Sequence, residues 1–114
     1  MVAGHYQALI ESEITATLEL KEDGTARYVV TWLDGEAKVV LQRYSGAGRW
    51  TRQAATVTVT LPLDTRYGVI TYEVSACLPY DNRFPKCSPG LRPIMSDMPK
   101  GHTWEMWKSD EIKY

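Results

Sequence analysis

The residues best suited to chemistry lie near the end of the sequence, where three methionines and a histidine fall within twelve positions, beside two tryptophans. Thioether and imidazole groups are soft ligands that select Cu(I), and a tryptophan ring can shield such an ion through cation–π attraction. The cluster predicts a copper site; the alternative is that the methionines fill the core, as flexible apolar side chains commonly do. The predicted ligands are Met95, Met98, His102 and Met106, with Trp104 and Trp107 beside them.

The sequence contains two cysteines, Cys77 and Cys87, separated by nine residues that are rich in turn formers. Two cysteines that flank such a segment predict a disulfide, and a disulfide indicates an oxidising compartment. Closing so short a loop contributes roughly 2–3 kcal/mol in the chain-entropy model. The alternative is a pair of reduced thiols in a cytosolic protein.

Sequence motifs for catalysis are missing: there is no glycine-rich phosphate loop, no Gly-x-Ser-x-Gly and no His-Glu-x-x-His. Pairing either cysteine with His102 would give a nucleophile and a base, but a structural cysteine and a surface histidine explain the same residues. We therefore predict a protein that is not an enzyme, has no catalytic residues and has no cofactor, with copper as the alternative.

The charge balance argues against two classes of partner. Thirteen basic and fourteen acidic residues give a net charge of −1, which favours neither nucleic acid nor an anionic membrane. No apolar run reaches the ~20 residues that a membrane-spanning helix needs. An exported protein requires a signal peptide, and none is visible at Met1-Val2-Ala3, so we expect that the native leader has been removed.

The elements that must position these residues read as strands. From Ser12 to Trp32, two alternating apolar and polar runs flank Lys21-Glu22-Asp23-Gly24, and Asp-Gly supplies the positive φ of a tight hairpin. Further strands are predicted, with breaks at Ser45–Gly48 and at Gln53–Ala55, and no stretch has helical periodicity. The other predicted strands are Gly4–Ile10, Ala37–Tyr44, one from Arg49, Thr56–Leu61, Tyr67–Ala76 and Thr103–Lys108.

Seven or eight short strands in consecutive order predict a single all-β domain over residues 1–114. An antiparallel meander that closes into an up-and-down barrel leaves no exposed edge, and a β-sandwich is the alternative. Five of the six prolines lie in residues 78–101, which we predict to be irregular.

The hairpin with Asp23-Gly24-Thr25, the later Gly48-x-Trp50 and the valine and threonine strand that follows form a pattern. This pattern resembles that of NlpE-like lipoproteins of the bacterial envelope. The resemblance covers roughly Gly4 to Leu61 and implies a small lipocalin-like barrel in a periplasmic or secreted protein. That family also carries an early Cys-x-x-Cys motif, which this chain lacks, so its copper or stress-sensing role is not transferred. The matching residues are Leu18, Leu20, Asp23, Gly24, Thr25, Tyr28, Gly48, Trp50, Val57, Val59 and Leu61.

The twelve aromatic residues are numerous for one small core. Tyr28, Trp32 and Trp50 are predicted to be buried. Aromatic side chains elsewhere suit an internal cavity for a small apolar ligand or an exposed patch for a protein partner. The predicted partner or ligand contacts are Tyr80, Phe84, Trp104 and Trp107. The sequence thus predicts a binding domain and leaves its ligand or protein partner and its oligomeric state open.

Overall fold

A computed structural model shows eight β-strands among the residues that it describes. It describes residues 2–8, 14–34, 39–81, 84–99 and 102–109, and gives the backbone alone at 33–34, 39–43, 80–81 and 84–86. Within this part of the chain, no helix has the length and apolar character that a membrane crossing requires. The strands are β1 (Gly4–Gln7), β2 (Ile14–Leu20), β3 (Thr25–Asp34), β4 (Val39–Gln53), β5 (Thr56–Pro62), β6 (Tyr67–Asp81), β7 (Phe84–Ser96) and β8 (Met106–Lys108).

The strands form one closed antiparallel barrel in sequence order. Each strand pairs with the next, and β8 returns to β1, where Tyr6 lies opposite Lys108 and Gln7 opposite Trp107. This closure leaves the barrel without a first or last edge strand, which is the physical advantage that favoured a barrel over a sandwich. The predicted all-β up-and-down barrel is confirmed.

The β2–β3 hairpin has the register that its alternating sequence predicts. Leu18 lies opposite Tyr28, and both side chains are fully buried, while neighbouring residues face solvent. Between the strands, Gly24 adopts a φ of 89°, and Asp23 Oδ1 accepts hydrogen bonds from the backbone N–H and the hydroxyl of Thr25 at 2.9 and 2.6 Å. The aspartate thus fixes the turn that the following glycine makes sterically accessible.

Apolar side chains from the inner faces of the strands fill much of the barrel. Tyr28 is fully buried as predicted, whereas Trp32 and Trp50 are half-buried and pack against the core from its margin. The largest fully buried side chains are Tyr28, Tyr72, Leu18, Leu20, Leu61, Ile70, Leu78, Leu91, Met106, Val30, Val57 and Val59.

Strand β4 corrects the break that was predicted at Ser45–Gly48, because it continues without interruption to Gln53. The glycines are strand positions: the phenol ring of Tyr44 occupies the space where a side chain at Gly46 would stand. The Tyr44 hydroxyl donates to the backbone oxygen of Pro62 at 2.7 Å. A ring that covers a strand glycine replaces the packing that the glycine lacks.

Strands β6 and β7 correct part of the irregular segment that was predicted at residues 78–101, since paired strands cover residues 78–81 and 84–96. Residues 97–99 lie outside the strands as predicted, and residues 82–83 and 100–101 lie outside the described residues. β7 carries three prolines, but it pairs with β8 only at Gly90 and Leu91. A proline lacks the N–H that a ladder needs, so a strand bonded mainly along one side tolerates it. Three register shifts between β6 and β7 absorb the remaining irregularity.

The two ends of the barrel differ. The capped end carries the β7–β8 connection, of which residues 97–99 and 102–105 are described. The opposite end, called here the cavity end, carries the β2–β3 turn and the β4–β5 turn at Ala54–Ala55, together with residues 2 and 3.

Candidate functional site

The capped end is held by the β7–β8 connection. The Tyr28 hydroxyl, inside the barrel, donates to the backbone oxygen of His102 at 2.6 Å. Ser96 and Thr103 share a hydrogen bond between their hydroxyls at 2.8 Å, which joins the two ends of the connection. Met98 is buried, and Trp104 packs half-buried against the core. These contacts hold the described part of the β7–β8 connection against the core at this end of the barrel.

The four predicted copper ligands differ in burial. Met106 is fully buried and Met98 is 8% exposed, and both belong to the core cluster. Met95, in contrast, is 73% exposed, next to the half-exposed Ile94 at a register shift in β7. His102 contributes its backbone oxygen to Tyr28. The structure therefore separates Met95 from the two core methionines, and copper binding stays a prediction.

The four predicted contact residues divide into two pairs. Trp107 is 5% exposed, and its indole N–H donates to the backbone oxygen of Leu78 at 2.9 Å, so it joins β8 to β6 and offers no exposed face to a partner. Trp104 is half-buried at the capped end. Tyr80 and Phe84 lie in β6 and β7, but their side chains are outside the described residues.

Cys77 and Cys87 form a disulfide between β6 and β7, as the sequence predicted. Their Cα atoms are 4.9 Å apart; Cys77 is exposed and Cys87 half-buried. Because both sulfurs are in the bond, neither is a thiol that could pair with His102 as nucleophile and base. The bond staples the β6–β7 hairpin next to the cavity end.

A cavity of about 340 Å³ opens at the cavity end of the barrel. This volume is at the lower limit of the roughly 300–1,000 Å³ typical of small-molecule sites. Four side chains provide an apolar and aromatic wall, and two provide positive charge; the described lining contains no Asp or Glu. The wall residues are Val2, Tyr6, Val74 and Pro89, and the cations are Lys108 and Arg52.

Strand periodicity places the two cations at the cavity. In β8, Met106 and Lys108 share the inner face, and Trp107 faces outward. Lys108 lies opposite Tyr6 and is only 8% exposed. In β4, Arg52 follows Trp50 by two residues and therefore lies on the same face, one step nearer the rim.

The barrel interior holds a further polar group, the hydroxyl of Tyr72. Tyr72 is fully buried, and among the described residues no hydrogen-bond partner lies in reach of its oxygen. Burial raises the pKa of Tyr72 well above the usual 10.0, and the nearby Tyr28 adds to the shift. Burial likewise raises the pKa of Tyr28. Both phenols therefore remain protonated hydrogen-bond donors far above neutral pH.

A second hollow lies outside the barrel, against the β2–β3 turn, and is more open to solvent than the first. It measures about 460 Å³ and combines charges of both signs, since His5 Nε2 lies 3.1 Å and Lys21 Nζ 3.6 Å from the carboxylate oxygens of Glu19. Exposed ion pairs of this kind satisfy one another in water. The cavity inside the barrel rim is the better candidate site.

Sequence reasoning did not single out Lys108 or Arg52. Each residue has the parity of an inward-facing apolar neighbour, Met106 or Trp50, and that parity is the only sequence signal for either cation. In a strand of three residues such as β8, the alternation is too short to show which residues face inward unless the paired strands are known. Comparison with known proteins found no family model, curated protein or solved structure that matches the chain.

Proposed function

We propose that this protein is a non-enzymatic binding domain that takes a small, partly apolar ligand into the cavity end of its barrel. The observation that carries the proposal is the 340 Å³ cavity with its wall of valine, tyrosine and proline side chains. An eight-stranded barrel is just wide enough to be filled by side chains or to hold one small ligand. Among the described residues, the β7–β8 connection covers the end of the barrel opposite this cavity.

We place this function outside the reducing cytoplasm, in the periplasm or beyond the cell. The support is the Cys77–Cys87 disulfide, because such bonds persist mainly in oxidising compartments. The resemblance of the first half of the chain to NlpE-like envelope proteins agrees with this location.

Binding of a neutral apolar fluorophore tests the proposal. Phenylnaphthylamine titrated into the full chain is expected to give saturable fluorescence enhancement with one site per barrel. The variant Ala76→Trp places a large ring on a residue that lines the cavity and is expected to abolish this enhancement. The control Thr71→Trp adds the same ring on β6 outside the cavity lining and is expected to bind normally.

Two results would overturn the proposal. One is the absence of saturable binding by the folded full chain. The other is unchanged binding in Ala76→Trp while its circular dichroism spectrum stays native, because the probe would then bind outside the cavity.

A further inference from the structure

We infer that the ligand is a small amphiphile whose anionic head group, a carboxylate or a phosphate, is held by Lys108 and Arg52 at the cavity end. This inference rests on the proposed function and adds the chemical class of the ligand. It starts from the charge of the cavity lining. Two of the described lining residues are cations and none is an acid, although the whole chain is slightly acidic.

The burial of Lys108 is the first step. A lysine that is 8% exposed is uncommon, because its charge loses hydration, and its charge acts through a medium of lower dielectric than water. An anion that enters such a site interacts with it more strongly than it would with a lysine on the surface. Lys108 is thus placed to favour an anionic ligand over a neutral one.

Gly4 leaves the space that the stem of Lys108 occupies. A Cβ atom at residue 4 would lie 2.9 Å from Cε of Lys108, closer than side chains pack, so the lysine stem lies directly over the glycine. The stem is also confined by Tyr6, its partner across the β1–β8 ladder. A cation with a fixed stem loses little conformational entropy when it binds an anion.

Arg52 supplies the second charge, at the rim of the cavity. Its Nε–H donates to the backbone oxygen of Ala54 at 2.9 Å, which anchors the guanidinium beside the β4–β5 turn. Within the described part of the chain, its two Nη groups have no other hydrogen-bond partner. A guanidinium anchored by Nε can present both Nη groups to the two oxygens of a carboxylate or phosphate.

The remaining wall accounts for an apolar tail. Val2, Tyr6 and Val74 line the cavity and also belong to, or pack against, the hydrophobic core. The cavity has the volume of about eleven water molecules in the liquid, and since a methylene group takes up nearly as much space as a water molecule, this limits the tail to about ten carbons. An amphiphile thus contacts both parts of the cavity: its anionic head binds Lys108 and Arg52, and its tail packs against this apolar wall.

Head-group substitution at constant tail length tests the inference. Decanoate, decyl phosphate, decanol and decylamine are titrated into the full chain by displacement of phenylnaphthylamine. Both anions are expected to bind about tenfold more tightly than decanol, since a hydrogen bond to a charged group outweighs a neutral one. Decylamine is expected to bind most weakly. Whichever anion binds more tightly identifies the head group as carboxylate or phosphate.

Two charge-removing variants and two matched controls assign the effect to residues. Lys108→Met keeps an unbranched apolar side chain and is expected to remove most of the tenfold preference for anions over decanol, while decanol binding stays unchanged. Arg52→Gln changes an exposed residue at the rim, so it is expected to reduce the same preference without disturbing the core. The controls Lys21→Met and Arg27→Gln remove the same charges from exposed positions outside the lining and are expected to have no effect.

The outcomes separate the two proposals. If phenylnaphthylamine and decanol bind but the anions bind no more tightly, or if decylamine binds best, the inference is wrong and the proposed function stands. A preference for anions that survives in both Lys108→Met and Arg52→Gln also overturns the inference. If no probe binds at all, the proposed function itself is wrong.

Discussion

The hydroxyl of Tyr28 and the backbone oxygen of His102 lie 2.6 Å apart, and this hydrogen bond connects β3 to the β7–β8 connection. Tyr72 presents the opposite case, because its equally buried hydroxyl has no partner among the described residues. Both phenols are buried in the same core, but only the Tyr28 hydroxyl has a hydrogen-bond partner among the described residues.

Removing each hydroxyl should therefore have effects of different sign. Tyr28→Phe loses a bond and leaves a carbonyl unpaired, so we expect its free energy of unfolding to fall by about 1–2 kcal/mol. Tyr72→Phe removes a buried group that has no described partner, so we expect no loss and up to about 1 kcal/mol of gain. Urea denaturation measures both, and each variant serves as the control for the other. An equal loss in Tyr72→Phe would show that its hydroxyl is paired after all.

The same phenols predict an alkaline limit to stability. Burial raises the pKa of Tyr28 and of Tyr72 above the 10.0 of an exposed tyrosine. Below pH 10 both are neutral in the folded and the unfolded chain; above it the unfolded chain loses protons that the folded chain keeps. Stability is therefore expected to fall as the pH rises above about 10.

Tyrosinate absorbance followed together with circular dichroism checks this prediction. We expect the last tyrosines to ionise at the same pH at which the barrel unfolds. In the double variant Tyr28→Phe/Tyr72→Phe these two ionisations are absent. Its free energy of unfolding should therefore fall less between neutral pH and alkaline pH than that of the wild-type protein. Complete tyrosine ionisation in a barrel that is still folded would contradict the prediction.

The disulfide predicts a difference between oxidised and reduced protein. Cys77 and Cys87 are ten positions apart, and a crosslink over so short a loop contributes about 2–3 kcal/mol, mainly by restricting the unfolded chain. The variant Cys77→Ser/Cys87→Ser is expected to have a free energy of unfolding lower by that amount, and so to unfold at a lower urea concentration. Reductant should shift the wild-type protein to the same midpoint and leave the variant unchanged. Two free thiols in the denatured, unreduced protein would refute the bond.

The β4–β5 turn offers a stabilising substitution. Ala54 has a φ of 54°, a left-handed conformation that costs a residue with a Cβ about 1–2 kcal/mol. Ala54→Gly removes that cost, and part of the gain is offset by the greater freedom of glycine in the unfolded chain, so we expect a net gain of up to about 1 kcal/mol. The neighbouring Ala55 does not have a positive φ, and Ala55→Gly should lower stability. Thermal unfolding distinguishes the two; a loss in both would contradict the prediction.

Much of the fold could be predicted from the sequence, because alternation and Asp-Gly turns are local signals. The β2–β3 hairpin and the β5 strand follow from them directly. The break predicted at Ser45–Gly48 was wrong because glycine indicates a turn only when nothing packs on it, and the ring of Tyr44 does so here. The irregularity predicted at residues 78–101 was wrong over residues 78–81 and 84–96, because proline stops a strand only where its missing N–H faces a partner.

The candidate site was harder to predict, for a physical reason. A methionine cluster in sequence becomes a cluster in space only if strand parity and bulges agree, and the register shift beside Ile94 leaves Met95 exposed. Lys108 enters the cavity because β1 and β7 orient a strand of three residues. Such an orientation is a property of the closed sheet and is absent from any short window of sequence.

The seam where β8 meets β1 also governs how the protein comes to be folded. Two residue pairs join these strands, and they connect positions about a hundred residues apart. The ring of hydrogen bonds cannot close on the ribosome until Lys108 has emerged, and pairing over such a distance is slow because the loop entropy is lost before the contact forms. We expect β1 and β8 to be the last strands to gain protection from hydrogen exchange during refolding and the first to lose it. Until then the interior, including the cavity wall, stays open to water and to other chains.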